Sequence, residues 1–218
     1  RPLNGQQLAA AVQIVASHDR VVLVQGRAGS GKSTMLQPVA KAEALDAAVR
    51  LLGQSGKRAV LLTAAAKGEA TALAFQNKMV ADLRQDTGLE AMTVHAFIAS
   101  NARFLDGTAG PEALSERKAA LAGRYLVLDE ASMISSGQMD RLIAIANLME
   151  VGRLAVIGDR KQLNPIDAGK AFAMMLAGSV EDSSGYSQVY INMRQKNETM
   201  RAIADLADAG AVRAAIEI

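Results

Sequence analysis

Residues 26–33 read Gly-Arg-Ala-Gly-Ser-Gly-Lys-Ser, a full G-x-x-x-x-G-K-[ST] pattern set directly after the apolar run Val21-Val22-Leu23-Val24 and ahead of a helix-forming stretch. A strand that ends in a glycine-rich turn and enters a helix is built to hold phosphate. The glycines let backbone N–H groups turn inward as a nest, and the helix start adds the positive end of its dipole. In such a loop the lysine, here Lys32, reaches the β- and γ-phosphates, and the hydroxyl of Ser33 ligates magnesium. The cradle comprises Gly26, Ala28, Gly29, Ser30, Gly31, Lys32, Ser33 and Thr34. All four fixed positions are met behind a strand signal, so the chain reads as nucleotide-binding rather than as carrying a chance glycine turn.

With 218 residues the chain can bury a proper core without covalent staples, and it has no cysteine. Nothing therefore calls for an oxidising compartment, and no thiol can act as nucleophile or metal ligand, which makes the cytoplasm the expected location. No apolar run approaches the roughly 20 residues needed to cross a bilayer, so membrane insertion is not expected. The formal charge is only +2, and binding to nucleic acid would have to rest on a local basic face. Four phenylalanines and three tyrosines, with no tryptophan, are too few for a broad base-stacking platform.

Short apolar runs recur between alanine-rich helical stretches. Strands are expected over Val21–Gln25, Ala59–Thr63, Tyr125–Leu128, Leu154–Ile157 and Gln188–Ile191, and helices over roughly Gly5–Ser17, Lys32–Gly53, Lys67–Thr87, Gln138–Glu150 and Glu198–Asp208. Uniformly apolar strands alternating with helices predict a mostly parallel α/β sheet buried on both faces. The stretch Asn101–Arg124 reads as a surface insertion and Gly178–Gly185 as a polar loop. The chain opens on Arg1-Pro2 and closes in helical composition at Ile218, and so reads as part of a longer protein.

A phosphate loop is common to many chemistries, so the class must come from residues at the other strand tips. Tyr125-Leu126-Val127-Leu128 ends in Asp129-Glu130. An aspartate there can hold magnesium, while the adjacent glutamate orients or deprotonates water, which favours hydrolysis over transfer to an alcohol. The next strand ends in Gly158-Asp159-Arg160-Lys161-Gln162, where a glutamine amide can sense the γ-phosphate. Arg194, in Asn192-Met193-Arg194-Gln195, can place a guanidinium on the transferring phosphoryl group. Near the start, Asn4 is a good N-cap for the first helix and Gln7 can read an adenine edge.

The ordered segments LNGQQ, GRAGSGKST, LTAAAKGEA (62–70), TVHAF (93–97), YLVLDEASM (125–133), GDRKQLNPIDAGKAF (158–172) and NMRQ (192–195) resemble the first motor domain of RecD-like superfamily 1 DNA helicases. The AGKAF continuation is most similar to the helicase part of conjugative relaxase-helicases of the TraI type. Asn164-Pro165 stands where RecD-like motors often carry two prolines, and AAAKG stands where a proline-containing version is common. The resemblance implies a RecA-like P-loop NTPase domain over residues 1–195, with 196–218 beginning the connection to a second motor domain of the same chain. It implies ATP and Mg2+ as ligands: Gln7 for adenine, Lys32, Ser33 and Thr34 in the phosphate loop, Asp129 and Ser33 on the metal. Glu130 would be the catalytic base, Gln162 the γ-phosphate sensor and Arg194 the arginine finger. Single-stranded DNA is the implied partner, with Thr63, Lys67, Thr93, His95 and Phe97 facing it, although His95 also fits an ordinary strand-end histidine and Phe97 a core residue. Proteins of a conjugative transfer apparatus are further implied partners.

The leading expectation is a motor half of an ATP-dependent 5′-to-3′ DNA helicase that translocates on single-stranded DNA in a conjugative relaxase. One alternative is a non-catalytic module for holding single-stranded DNA or for secretion recognition, against which the intact Lys32, Asp129, Glu130 and Gln162 stand. The other is a phosphoryl-transfer kinase. Because such motors close two domains around the nucleotide, this chain alone is expected to bind nucleotide weakly, hydrolyse it very slowly and unwind nothing. A strand-displacement assay checks this, and strong unwinding by the 218-residue chain contradicts the reading of a single motor half.

Overall fold

The computed structural model describes residues 3–17, 19–27, 29–32, 34–36, 70–160, 170–179 and 185–189, together with 199, 202, 206, 211 and 213. Six strands form one sheet: β1 (Val21–Gly26), β2 (Ala70–Ala74), β3 (Glu90–Thr93), β4 (Tyr125–Leu128), β5 (Arg153–Gly158) and β6 (Tyr186–Val189), in the order β3-β2-β4-β5-β1-β6. Every pairing is parallel. The described helices are α1 (Gly5–Ala16), α2 (Asn77–Thr87), α3 (Val94–Leu105), α4 (Pro111–Leu121), α5 (Ser136–Leu148) and α6 (Ala171–Ala177). No described helix is long and apolar enough to cross a membrane.

Alternate residues of each strand point to opposite faces, and both faces are covered. Val22 and Val24 of β1, with Ala155 and Ile157 of β5, join Ile14 of α1 and Val80 and Leu83 of α2 in one buried layer. Leu23, Leu154 and Val156 point the other way, into a layer with Phe97 and Phe104 of α3 and Leu142 and Ile145 of α5. This is the mostly parallel, doubly covered sheet that the apolar runs predict.

Several boundaries differ from the sequence reading. The helix expected over Lys67–Thr87 is broken: Ala70-Thr71-Ala72-Leu73-Ala74 is the fully buried strand β2, and only Asn77–Thr87 is helical. Alanine favours helix locally, but a strand packed between two helical layers needs small side chains, and tertiary context overrides propensity. The helix ends where Gly88 adopts φ 72° and its N–H donates to the Arg84 carbonyl, a left-handed cap. The expected insertion Asn101–Arg124 is instead the end of α3 and all of α4, joined by buried Asn101, whose Oδ1 accepts from Arg117 Nε at 2.8 Å. Strand β3 has no counterpart in the sequence reading. The last strand starts two residues earlier than expected, at Tyr186. The strand expected over Ala59–Thr63 lies outside the described residues, as does most of the helix expected after Lys32.

At the opposite end of the sheet from the phosphate loop, Arg153 ties β5 to the carboxyl end of α1. Its Nη1 donates to the carbonyls of Ile14 at 2.6 Å and Val15 at 2.7 Å, its Nη2 to Ser17 and its Nε to Asp19 at 3.2 Å. A cation there satisfies carbonyls that lack helical partners and faces the negative end of the helix dipole. Burial pulls the guanidinium's pKa below its ordinary value, while Tyr125 and Asp19 pull the other way. Arg153→Met should lower stability by about 2 kcal/mol, the worth of charged hydrogen bonds, or roughly 4–8 °C in Tm. Thermal and urea denaturation check this, and a shift below one degree excludes the clamp.

Candidate nucleotide site

Because all six strands are parallel, their carboxyl ends lie on one edge, where ligands of open α/β sheets bind. The phosphate loop leaves β1 there. Lys32 is helical and buried, as are Met35 and Leu36 in the turn that follows. Gly29 and Gly31 have φ of 78° and 75°, in the left-handed region that the loop's inward turn requires. The loop is also too crowded for side chains. A Cβ on Gly26 would lie 2.6 Å from Lys32 Cδ, and one on Gly31 would strike Gln7 Nε2.

Gln7 explains part of that crowding. Asn4 caps α1: its Oδ1 accepts from Gln7 N at 2.9 Å, and Gln7 Oε1 accepts from Asn4 N at 3.1 Å. The remaining amide nitrogen of Gln7 donates to the carbonyls of Ser30 at 2.8 Å and Gly31 at 3.3 Å. The first helix thus braces the loop through a side chain that is 2% exposed. An adenine edge would have to compete with those carbonyls for the amide.

Strand β4 is not the neighbour of β1; β5 lies between them. Even so, Glu130 reaches the loop. Its backbone has φ 51° and ψ 45°, a conformation uncommon outside glycine, and its N–H donates to Asp129 Oδ1 at 2.9 Å. Glu130 Oε1 lies 3.6 Å from Lys32 Nζ. The lysine also donates to the Gly26 carbonyl at 3.2 Å. Asp129 is buried at the strand tip, held by its backbone N–H to the Leu73 carbonyl of β2.

Besides Ser132 Oγ, two buried oxygens at this edge have no hydrogen-bond partner among the described residues, Glu130 Oε2 and Ser30 Oγ. Buried polar atoms are normally satisfied, so both are places where a ligand or water would complete the site. The residues fit a magnesium nucleotide: glycines that clear the backbone, a buried lysine that Ser33 follows in sequence, and one buried carboxylate, Asp129. Magnesium typically takes one or two protein carboxylates and fills its remaining positions with phosphate oxygens and water.

The expected site residues divide into three groups. Gln7, Gly26, Gly29, Ser30, Gly31, Lys32, Asp129 and Glu130 are assembled on one edge, with Thr34 half-buried behind them. Ala28, Ser33, Thr63, Lys67, Gln162 and Arg194 lie outside the described residues. Thr93 and His95 sit at the tip of β3, four strand positions from β1, or roughly 19 Å at the usual strand spacing. Thr93 caps α3 by accepting from Ala96 N at 3.1 Å, and His95 is exposed. Of the two readings offered for Phe97, the structure bears out the core one, since the residue is 1% exposed within the core layer of α3. Gln76, Asn77 and Lys78, which the sequence reading did not single out, are exposed at the tip of β2 beside that of β3. The helical reading of Lys67–Thr87 hid them; the Gln-Asn pair after an alanine-rich run was the available signal.

Residues 2–218 match a family model described as an AAA domain. The chain belongs to the AAA domain family. This AAA domain is 28% identical over 203 residues to the conjugal transfer protein TraA of Agrobacterium fabrum, covering 93% of this chain and 15% of that protein. It is 32% identical over 191 residues to a probable TraA of Sinorhizobium fredii, covering 87% and 14%. It is also 27% identical over 212 residues to the multifunctional conjugation protein TraI of Escherichia coli, covering 97% and 10%. The chain therefore spans at most 15% of the length of these relatives. Its fold is that of Bacteroides Pif1 solved with single-stranded DNA (TM-score 0.53, 15% identity, covering 94% of this chain and 46% of that one). It is likewise that of Pif1 helicases solved at forked double-stranded DNA (TM-score 0.55, 15% identity, covering 94% and 48%). The AAA domain thus shares the α/β fold of these Pif1 structures and has relatives among conjugal transfer proteins.

The contact between Gly31 and Gln7 is testable without ligand. Gly31→Ala adds left-handed strain of about 1–2 kcal/mol and displaces the Gln7 amide, a further loss of about 1 kcal/mol. Gly107 has a similar φ of 69° but open space around it, so Gly107→Ala carries the strain alone. Chemical denaturation should rank Gly31→Ala as the more damaging; equal losses exclude the Gln7 brace.

Proposed function

We propose that this chain is the ATP-binding first motor domain of an ATP-dependent DNA helicase that translocates on single-stranded DNA within a conjugative relaxase. The observation that carries the proposal is the approach of Glu130 to 3.6 Å from Lys32, at the mouth of a glycine loop and beside a buried aspartate. Lys32 would hold phosphate oxygens with its ammonium, and its pairing with Glu130 keeps both side chains at the edge before substrate arrives. A nucleotide would draw the ammonium to itself and leave the Glu130 carboxylate to take the proton of an attacking water, the task of a general base. Ser33 and Asp129 would hold magnesium, which supplies charge neutralisation on the phosphates. Gln7 stands on the adenine side, Gln162 would sense the γ-phosphate, and Arg194 would stabilise charge on the transferring group.

Single-stranded DNA would cross the same edge at the tips of β2 and β3, over Gln76, Asn77, Lys78, Thr93 and His95. Polar contacts there would hold a strand without reading its sequence. The names of the relatives support a setting in conjugal transfer, and the 5′-to-3′ direction follows the RecD-like resemblance. A second motor domain would close on this edge and complete the site.

The test is ATP hydrolysis by the full-length protein with and without single-stranded DNA, comparing wild type with Lys32→Ala and Glu130→Gln. DNA-stimulated turnover should fall by about 10²–10⁴-fold in Glu130→Gln, the usual worth of a general base, with nucleotide still bound. Lys32→Ala should lose turnover and most of the nucleotide affinity. Unchanged turnover in both variants, or DNA binding with no turnover in the wild type, would assign the domain to holding DNA or protein.

A further inference from the structure

Gln25 is the residue of β1 immediately before the first glycine of the loop, and it is 3% exposed in a sheet covered on both faces. In register it stands opposite Gly158 of β5, yet its side chain reaches beyond that partner. Nε2 donates to Asp159 Oδ1 at 3.1 Å, and Oε1 accepts from the backbone N–H of Arg160 at 3.1 Å. Asp159 is itself 2% exposed. A carboxylate oxygen needs a donor and a backbone N–H needs an acceptor, and a primary amide offers both from adjacent atoms. Glutamate would set charge against Asp159, and methionine would leave a buried carboxylate and an amide each short of a partner.

The consequence is a continuous mechanical connection. Lys32 folds over Gly26, with its methylenes filling the space a Cβ would need there. Gly26 follows Gln25, and Gln25 grips the first two residues of the segment that carries Gln162. We propose that Gln25 is a positioning residue that couples the phosphate loop to the tip of β5, so that nucleotide settling on the loop changes the hold on the Arg160 backbone. The proposal rests on the nucleotide-binding reading given above.

The experiment is hydrogen exchange at the Arg160 amide in the full-length protein, with and without a non-hydrolysable ATP analogue, together with ATP turnover. In wild type the analogue should alter exchange of that amide. In Gln25→Met the analogue should still bind, while Arg160 exchanges about tenfold faster, as loss of one hydrogen bond implies, and no longer responds. Gln25→Glu should lower turnover about tenfold with KM for ATP little changed, by the same loss of hydrogen bonding. Adding Asp159→Asn restores an alternating donor and acceptor at the charge of the wild type, and the double variant should recover most of the turnover. Equal exchange in wild type and Gln25→Met, with analogue bound to both, overturns the coupling alone. Failure of the wild type to bind the analogue overturns the nucleotide reading and the coupling with it. Should Gln25→Met not fold, the pair decides: a double variant no better than Gln25→Glu overturns the proposal.

Discussion

Among the described residues, the four inner strands β2, β4, β5 and β1 are almost wholly buried between two helical layers, and most of this molecule follows from that burial. A polar side chain within one of these inner strands needs a dedicated partner, as Gln25 has. Parallel pairing also puts every carboxyl end on one edge. Polar chemistry is thereby gathered at the strand tips and in the turns that follow them, which is where Lys32, Thr93, Asp129, Glu130 and Asp159 are found. Crossover connections run back along the faces, and their helices supply the apolar layers that make the strands' burial favourable.

The edge itself is an arrangement of buried polar groups, each held by a specific neighbour. Gln7 spends its amide on the loop's carbonyls, Gln25 on Asp159 and Arg160, and Lys32 on Gly26 and Glu130. Groups removed from water must be satisfied this way, and the same contacts fix their geometry before any ligand arrives. Glu130 is held in a backbone conformation that is costly for a side-chain-bearing residue, and strain of this kind persists only where the surroundings over-determine it. Here the Asp129 carboxylate on its N–H and the lysine near its own carboxylate do so. Two of the oxygens left unsatisfied among the described residues, on Glu130 and Ser30, mark where that organisation awaits a partner.

The sequence reading succeeded where a residue's role is local. The loop pattern, the Asn4 cap and strands β1, β4 and β5 lie where the residues indicate, because strand hydrophobicity and capping act over a few neighbours. It failed where packing overrides local preference. Ala70–Ala74 looks helical by composition and becomes a central strand because two layers close on it. Asn101 and Arg117 look like loop polarity and instead join two helices through one buried amide. Phe97 lies in a segment that resembles a DNA contact, but at its position on α3 the ring turns inward to the core.

The sequence by itself determined a parallel sheet carrying a phosphate-loop pattern between a strand and a helix, since uniformly apolar runs alternating with helical stretches need cover on both faces. It also named the acids, Asp129 and Glu130, that stand at the tip of β4. Tertiary structure alone decided which of these groups meet. The distance from Glu130 to Lys32 spans an intervening strand, the Gln25 amide finds partners 134 and 135 residues away, and Gln7 reaches a loop 23 residues on. Such contacts depend on strand order and register, which emerge from how two apolar faces are covered at once and not from any short run of residues.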